Sequence, residues 1–378
     1  MKCKTFAASL IASGALCGAA HAQPCTGLVG QWSFEGNLLD ASGFANDGVA
    51  VGAPGYVPGA AGSGLSLDGF NDFVQVADSA SLNPTAAISI SAWWFSTSFS
   101  GSGSDPIVDK GASCHCYPYY QYQLGVSGDQ YPYPSSFSFI VAANGAPAGA
   151  GSDLRFYSTG RWYHVVGTYD GSTMSFYADG VRLSHYPATG SIVSYARPVR
   201  FGCFNNLPQF HLPGVIDEIR IYDRALSADE VSVLHESPDG RPVVKPATAR
   251  LCRGGDATFE AIHLDAPGAT YLWSKDGAPI PTETGKVLLV PGAQGSARYS
   301  CLVTTACGVH QTPEAELLIC ASDYDCDGTV DFFDYDAFVN CFEGIVCPPG
   351  RTADFDGDGS EDFFDYDAFV VAFETPCQ

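Results

Sequence analysis

The spacing of apolar and polar positions divides this chain into regions. From residue 23 to 236, short runs with every second residue apolar, such as 87–93 (AISISAW) and 174–178 (MSFYA), are bounded by Gly, Asp or Asn. A period of two predicts half-buried antiparallel strands. Asp170-Gly171 ahead of the second run and Asp179-Gly180 behind it predict hairpin turns, because Asp-Gly accepts the positive φ that such turns need. About 200 residues of this kind predict a sandwich or jelly roll. The region closes on Ser227, with Glu230 three residues on and Val231, Val233 and Leu234 behind, a capping box that predicts a short helix seated on the sandwich.

Residues 237–250 carry SPDGRP and then Lys245-Pro246, which reads as a linker. In residues 251–320 the alternation returns at 257–261, 271–273, 287–290, 299–303 and 315–319, predicting a second, smaller β unit. From 322 to 378 the period becomes helical. Phe332, Tyr335, Phe338, Val339 and Phe342 form one stripe, mirrored by Phe363, Tyr366, Phe369, Val370 and Phe373, within a nine-residue identity, DFFDYDAFV, repeated 31 positions apart. The fold class expected is a mainly β multidomain protein with a small helical tandem at its end.

Composition agrees, since Gly (42), Pro (24), Tyr (19) and Phe (24) are abundant and charged residues are only 16%. The net charge of −23 argues against a nucleic-acid partner. It is also local: residues 322–378 hold fifteen Asp or Glu against the single Arg351. Lys2 and Lys4, the apolar stretch 6–20 and Ala20-His21-Ala22 predict a signal peptide over 1–22, hence export to the cell surface or exterior of a bacterium. No later run is long enough to span a bilayer. The twelve cysteines beyond it partition four, four and four among the three regions, which in an oxidising compartment predicts disulfides within each.

The acidic tail has a register. DYDCDGTVDFFD (323–334) and DFDGDGSEDFFD (354–365) both place Asp at positions 1, 3, 5, 9 and 12 and Gly at 6. This is the EF-hand calcium loop with Asp in place of the final Glu. The expected ligands are Asp323, Asp325, Asp327, Thr329 through its carbonyl, Asp331 and Asp334 for one calcium ion, and Asp354, Asp356, Asp358, Ser360, Asp362 and Asp365 for a second. Random acidic runs do not keep register twice.

Three resemblances add to this. GLSLDGFNDFVQV (64–76), RWYHVVGTYDG (161–171), FYADGVRL (176–183) and GVIDEIRIYDRALSADEV (214–231) resemble a laminin-G-like, concanavalin A-type jelly roll. That implies a binding module, often with one calcium ion near a rim of loops, for which Asp68, Asn71 and Asp72 are the oxygen-rich candidates; plain turn chemistry is the alternative. Trp273, with Tyr299 two residues before Cys301, resembles an immunoglobulin-like core, Ala261 standing where that family's first core cysteine falls. The similarity to bacterial modules of that type implies a Cys252–Cys307 disulfide, although four cysteines allow three pairings. A loop followed by one helix, twice, resembles a type I dockerin, which implies a cohesin-like partner. Where dockerins present small hydroxyl residues, this chain has Phe332-Phe333 and Phe363-Phe364, making Phe333 and Phe364 candidate partner contacts.

For ligand binding by the jelly roll, Tyr117, Tyr119, Tyr120 and Tyr122 in CHCYPYYQYQLG are candidates to stack on sugar rings. The reading is a secreted, non-catalytic, calcium-binding recognition or adhesion protein, its jelly roll binding an extracellular glycan or protein and its tail tethering it to a surface or scaffold. Two other readings stay open, a secreted polysaccharide hydrolase and a structural surface or matrix protein. The hydrolase would need two carboxylates flanking a bond. Asp217 and Glu218 point to opposite faces of a strand, and Asp217 and Asp223 stand roughly 20 Å apart in extended chain. Asp217 is expected instead to tie down the last strand.

Overall fold

The computed structural model describes residues 27–97, 104–111, 117–127, 136–153, 158–205, 210–264, 268–305 and 308–375. The expected signal segment lies outside them, as do Cys114, Cys116, Cys307 and Cys377. The first region is a sandwich of two antiparallel sheets. The first sheet runs in the order Val181–Pro187, Thr173–Ala178, Trp162–Tyr169, Ile88–Phe95, Pro213–Tyr222, Ser63–Asp68, Gly55–Pro58, with Leu28–Trp32 also on Pro213–Tyr222. The second runs Ala146–Asp153, Ser136–Ala143, Tyr120–Ser127, Ser104–Gly111, Val199–Phe201, Phe73–Val76, Gly48–Val51. Neighbours far apart in sequence make this a jelly roll and not a meander. The hairpin chemistry is realised at Asp179 (φ 48°) and Gly180 (φ 77°), the two-residue turn joining Thr173–Ala178 to Val181–Pro187.

Alternation sets the core. From Ile88–Phe95, Ile88, Ile90, Ala92 and Trp94 point inward to join Trp32, Val74, Tyr122, Phe139, Phe176 and Phe201. The outward residues of the same strand are buried too, because the predicted helix, α1 (Ala228–Glu236), lies over them. Its capping box is formed, Ser227 accepting from the Glu230 amide and Glu230 from that of Ser227. Trp93 stacks on His235 of α1 at 5.6 Å and on His164 at 5.0 Å.

The presumed linker is structure. Val243–Lys245 and Thr248–Cys252 are strands, and Val243 packs with Val233 of α1 and Ile262, so α1 is the surface on which the second region docks. That region is a small sandwich of two sheets, Val243–Lys245, Ala257–Ile262, Val287–Val290 against Thr248–Cys252, Ala315–Cys320, Ala297–Thr305, Thr270–Lys275, Ala278–Pro279, with Gly308–Gln311 beside Ala297–Thr305. Trp273, Ala261 and Cys301 sit in its core, Cys301 as a free thiol.

The tail follows directly with α2 (Phe332–Phe342) and α3 (Phe363–Glu374), packed through Phe338 on Phe369, ring centroids 4.1 Å apart and nearly parallel. The stripes hold at Tyr335, Phe338, Phe342, Tyr366, Phe369 and Phe373 but not at Phe332 and Phe363, which are 69% and 70% exposed. Each is the first residue of its helix, a turn beyond the contact between helices.

The cysteine partition is corrected. Cys252 bonds to Cys326 of the tail, 74 residues on, and not to Cys307. Its strand runs parallel to Ala315–Cys320 and ends opposite Cys320, which places its sulfur where the chain enters the first acidic loop. Cys320 is itself disulfide-bonded, and Cys341 bonds to Cys347. Cys203 and Cys301 are buried thiols.

Candidate functional site

In each acidic loop the carboxylates at positions 1, 3 and 5 converge. Asp323, Asp325 and Asp327 bring one oxygen each within 4.8 Å of the others, as do Asp354, Asp356 and Asp358. The glycine at position 6 allows the turn, Gly328 at φ 89° and Gly359 at φ 91°. Three converging carboxylates repel one another. Burial, then the charges of Asp334, Asp325 and Asp327, push the Asp323 carboxyl up against the opposing pull of the Gly328 amide. Asp323 is 5% exposed, and its Oδ1 has no hydrogen-bond donor among the described residues. An acceptor-only cluster of this charge, with one buried member, fits a hard divalent cation with oxygen ligands.

Positions 9 and 12 have a structural task beside the ligand role expected of them. Asp331 caps α2 by accepting the Phe333 amide, and Asp334 accepts from the Asp331 amide through Oδ2 and from the Tyr324 and Asp325 amides through Oδ1. Asp362 and Asp365 repeat this on Phe364, Asp362, Phe355 and Asp356. Asp334 and Asp365 thus clamp the loop's entrance to the helix it starts, outside the carboxylate triads. Their remaining lone pairs are the ligands they could add. At position 7 the Thr329 hydroxyl and amide both donate to Asp327, and the Ser360 amide donates to Asp358.

The first loop is anchored to the second sandwich. Beside Cys252–Cys326, Arg351 Nε donates to the Tyr324 carbonyl and Nη1 to that of Arg253, while Arg253 Nη1 donates to the Phe355 carbonyl. At the start of α2 and α3, Phe333 and Phe364 stand 69% and 71% exposed beside Phe332 and Phe363. Four bare phenylalanines in two symmetric pairs are a large apolar surface for so small a module.

In the jelly roll, Tyr117 is 63% exposed and Tyr119 and Tyr120 are half-buried, their rings in contact. Tyr122 is corrected: it points into the sandwich core, its hydroxyl donating to the Leu82 carbonyl, because strand parity puts Gln121 and Gln123 outward in its place. These glutamines belong to a polar row that the sequence reading missed. Gln123 lies opposite Asp109, Asp109 opposite Arg200, and Arg200 opposite Gln75, across the outer face of the second sheet. Residues from two crossing segments lie over it: the Tyr195 amide donates to Gln121 Oε1, and Asn205 donates to Asp109 through its amide and side chain. Among the described residues four atoms have no partner, Gln121 Nε2, Gln123 Nε2, Asp109 Oδ1 and Asn205 Oδ1, all on residues at most 6% exposed. Burial pushes the Asp109 carboxyl up to about 7 despite Asn205 and the nearby Arg200. Polar residues at alternate positions of a strand are ordinary, so only the pairing register exposes the row.

The other carboxylates act locally. Asp68 Oδ1 accepts the amides of Phe70, Asn71 and Asp72, and Asp72 accepts that of Ala53, which is turn chemistry. Asp217 accepts the Ala60 and Ala61 amides and so ties that loop to the last strand. A bulge with Glu218 at φ 48° breaks the alternation there and pairs Glu218 with Arg220 at 2.8 Å, both buried.

A family model described as the concanavalin A-like lectin/glucanases superfamily matches residues 68–232, within the jelly roll. Among solved structures, domain 4 of AbnA, an extracellular arabinanase from Geobacillus stearothermophilus solved with arabinotriose, is 17% identical, covering 56% of this chain and 99% of its own (TM-score 0.45). The binding domain of Paraclostridial Mosquitocidal Protein 1 is 14% identical over 73% and 75% (0.45). The ligand-binding domain of botulinum neurotoxin serotype D, solved with N-acetylneuraminic acid, is 11% identical over 75% and 72% (0.44). No match is found among curated proteins. No helix among the described residues is long and apolar enough to cross a membrane.

Proposed function

We propose that this chain is an exported recognition protein without catalysis, in which the jelly roll binds an extracellular glycan, an immunoglobulin-like sandwich sets its distance, and a calcium-organised, dockerin-like tail tethers it to a partner. The observation that carries this reading is the tail: two acidic triads in one register, the first with a buried oxygen that no donor satisfies, each followed by a bare phenylalanine pair. Calcium would neutralise the triads and so fix the helices that present those pairs. Phe333 and Phe364 are the partner contacts in this account.

Exposed Tyr117 supports a glycan for the jelly roll, since its ring offers a stacking face. The polar row is closed to a sugar, and its mixed donors and acceptors suit a buried water. No observation favours the hydrolase, since Asp217 holds a loop and Glu218 pairs with Arg220. A calcium-dependent pull-down with the full chain as bait tests the tether: capture abolished by chelation and by Phe333→Ala with Phe364→Ala supports it, and capture indifferent to both refutes it. A glycan array probes the jelly roll, with binding expected to fall at least tenfold in Tyr117→Ala.

A further inference from the structure

One buried lysine of the jelly roll shares a carboxylate oxygen with a side-chain amide. Lys110, on the strand Ser104–Gly111 of the second sheet, is 0% exposed. Asp78 and Asn83 lie on the crossover that carries the chain from Phe73–Val76 in the second sheet to Ile88–Phe95 in the first. Lys110 Nζ donates to Asp78 Oδ1 at 2.6 Å, and Asn83 Nδ2 donates to the same oxygen at 2.9 Å. Sheet and crossover also meet alongside: Tyr122, opposite Lys110 in the register, donates through its hydroxyl to the carbonyl of Leu82, next to Asn83.

This trio has more than the features of an ion pair. As an ammonium, Lys110 would carry three protons for one acceptor among the described residues. Burial lowers its pKa against the hold of Asp78, towards the neutral amine that can act as a nucleophile. Asn83 is held through Nδ2, which also donates to the Ser79 carbonyl, while its Oδ1 is buried with no donor among the described residues. The shared oxygen connects the amine to the amide nitrogen, so one carboxylate can take a proton from the first and give it to the second.

We propose that Lys110 and Asn83 join in an intramolecular amide bond, with Asp78 carrying the proton. The neutral amine of Lys110 attacks Asn83 Cγ and gives a proton to Asp78; the Cγ–Nδ2 bond breaks, and Nδ2 leaves as ammonia with that proton. One amide replaces another, so no oxidant, reductant or further reactant enters. The bond ties the crossover between the sheets to the strand Ser104–Gly111. Unlike an ion pair, it outlasts unfolding.

Mass spectrometry of the reduced, denatured full chain tests this. The wild type should be lighter by one ammonia than Lys110→Arg or Asn83→Ala, each measured against its own sequence mass. Chymotrypsin cuts between the two residues at Trp93, Trp94 and Phe95, and should leave the peptides holding Asn83 and Lys110 joined. That joined pair distinguishes the loss from ammonia shed elsewhere. Asp78→Ala should contain at least tenfold less of it. Wild-type peptides that separate would overturn the proposal even if no variant folds. A bond from Lys110 to Asp78 with loss of water, or a joined pair that persists in Lys110→Arg, would overturn it as well.

Discussion

The outer face of the second jelly-roll sheet and the first acidic loop both leave buried side-chain atoms without partners, and they do so in opposite ways. On the sheet, two donors, Gln121 Nε2 and Gln123 Nε2, stand among two acceptors, Asp109 Oδ1 and Asn205 Oδ1. In the loop the unmatched atom is Asp323 Oδ1, and the groups converging on it are two further carboxylates. A mixed set is completed by a group that both gives and takes a hydrogen bond, whereas an all-acceptor set is completed by a cation. The two sites therefore call for different ligands, and variants that move one should leave the other alone.

The largest effect expected is from chelation. Each calcium ion held at a thousand times its dissociation constant would stabilise the tail by about 4 kcal/mol, so its removal should abolish most of the α2 and α3 helicity while the jelly roll melts unchanged. Circular dichroism with differential scanning calorimetry checks this, and a shift in both transitions would erase the distinction between the sites.

Next comes pH. Asp109 is pushed up to about 7 in the folded chain, so from its ordinary range near 3.8 up to about 7 the folded state keeps a proton that the unfolded state has lost. Jelly-roll stability should thus fall as pH rises through that window, by up to about 4 kcal/mol for this group. Asp109→Asn should flatten about half of the slope in denaturant titrations, the rest belonging to Asp217. Asp217, likewise raised to about 7 by burial, with the Glu218 charge adding to it, carries a comparable share.

The sequence showed the loops and hid the row, for a physical reason. The acidic loops are local: twelve consecutive residues carry the converging carboxylates and the glycine, so register alone reveals them. Strand existence was legible for the same reason, and so were the Asp179-Gly180 hairpin and the Ser227 capping box. The row is assembled from strands 125 residues apart, as in Gln75 and Arg200, and no local pattern records that pairing. Tyr122 was misread because Tyr and Gln alternate there and only the core decides which faces in. The Cys252–Cys326 bond was hidden likewise, since it depends on the parallel pairing of Thr248–Cys252 with Ala315–Cys320.

That disulfide sharpens the comparison within the tail. It holds the first loop at Cys326, where the second has Gly357. Cys252→Ser with Cys326→Ser should cost about 3 kcal/mol of tail stability and weaken calcium at the first loop more than at the second, read by melting and by titration. The smallest effect concerns the phenylalanines: Phe333→Ala and Phe364→Ala, both exposed, should change stability by less than about 0.5 kcal/mol while removing partner capture.

The most direct test of the cation assignment is isothermal titration of calcium into the chelator-treated full chain. The account predicts two ions per chain, falling to one in Asp323→Ala and one in Asp354→Ala, with no change in Gln123→Ala. Absence of calcium binding, or a stoichiometry unaffected by either aspartate, would contradict it.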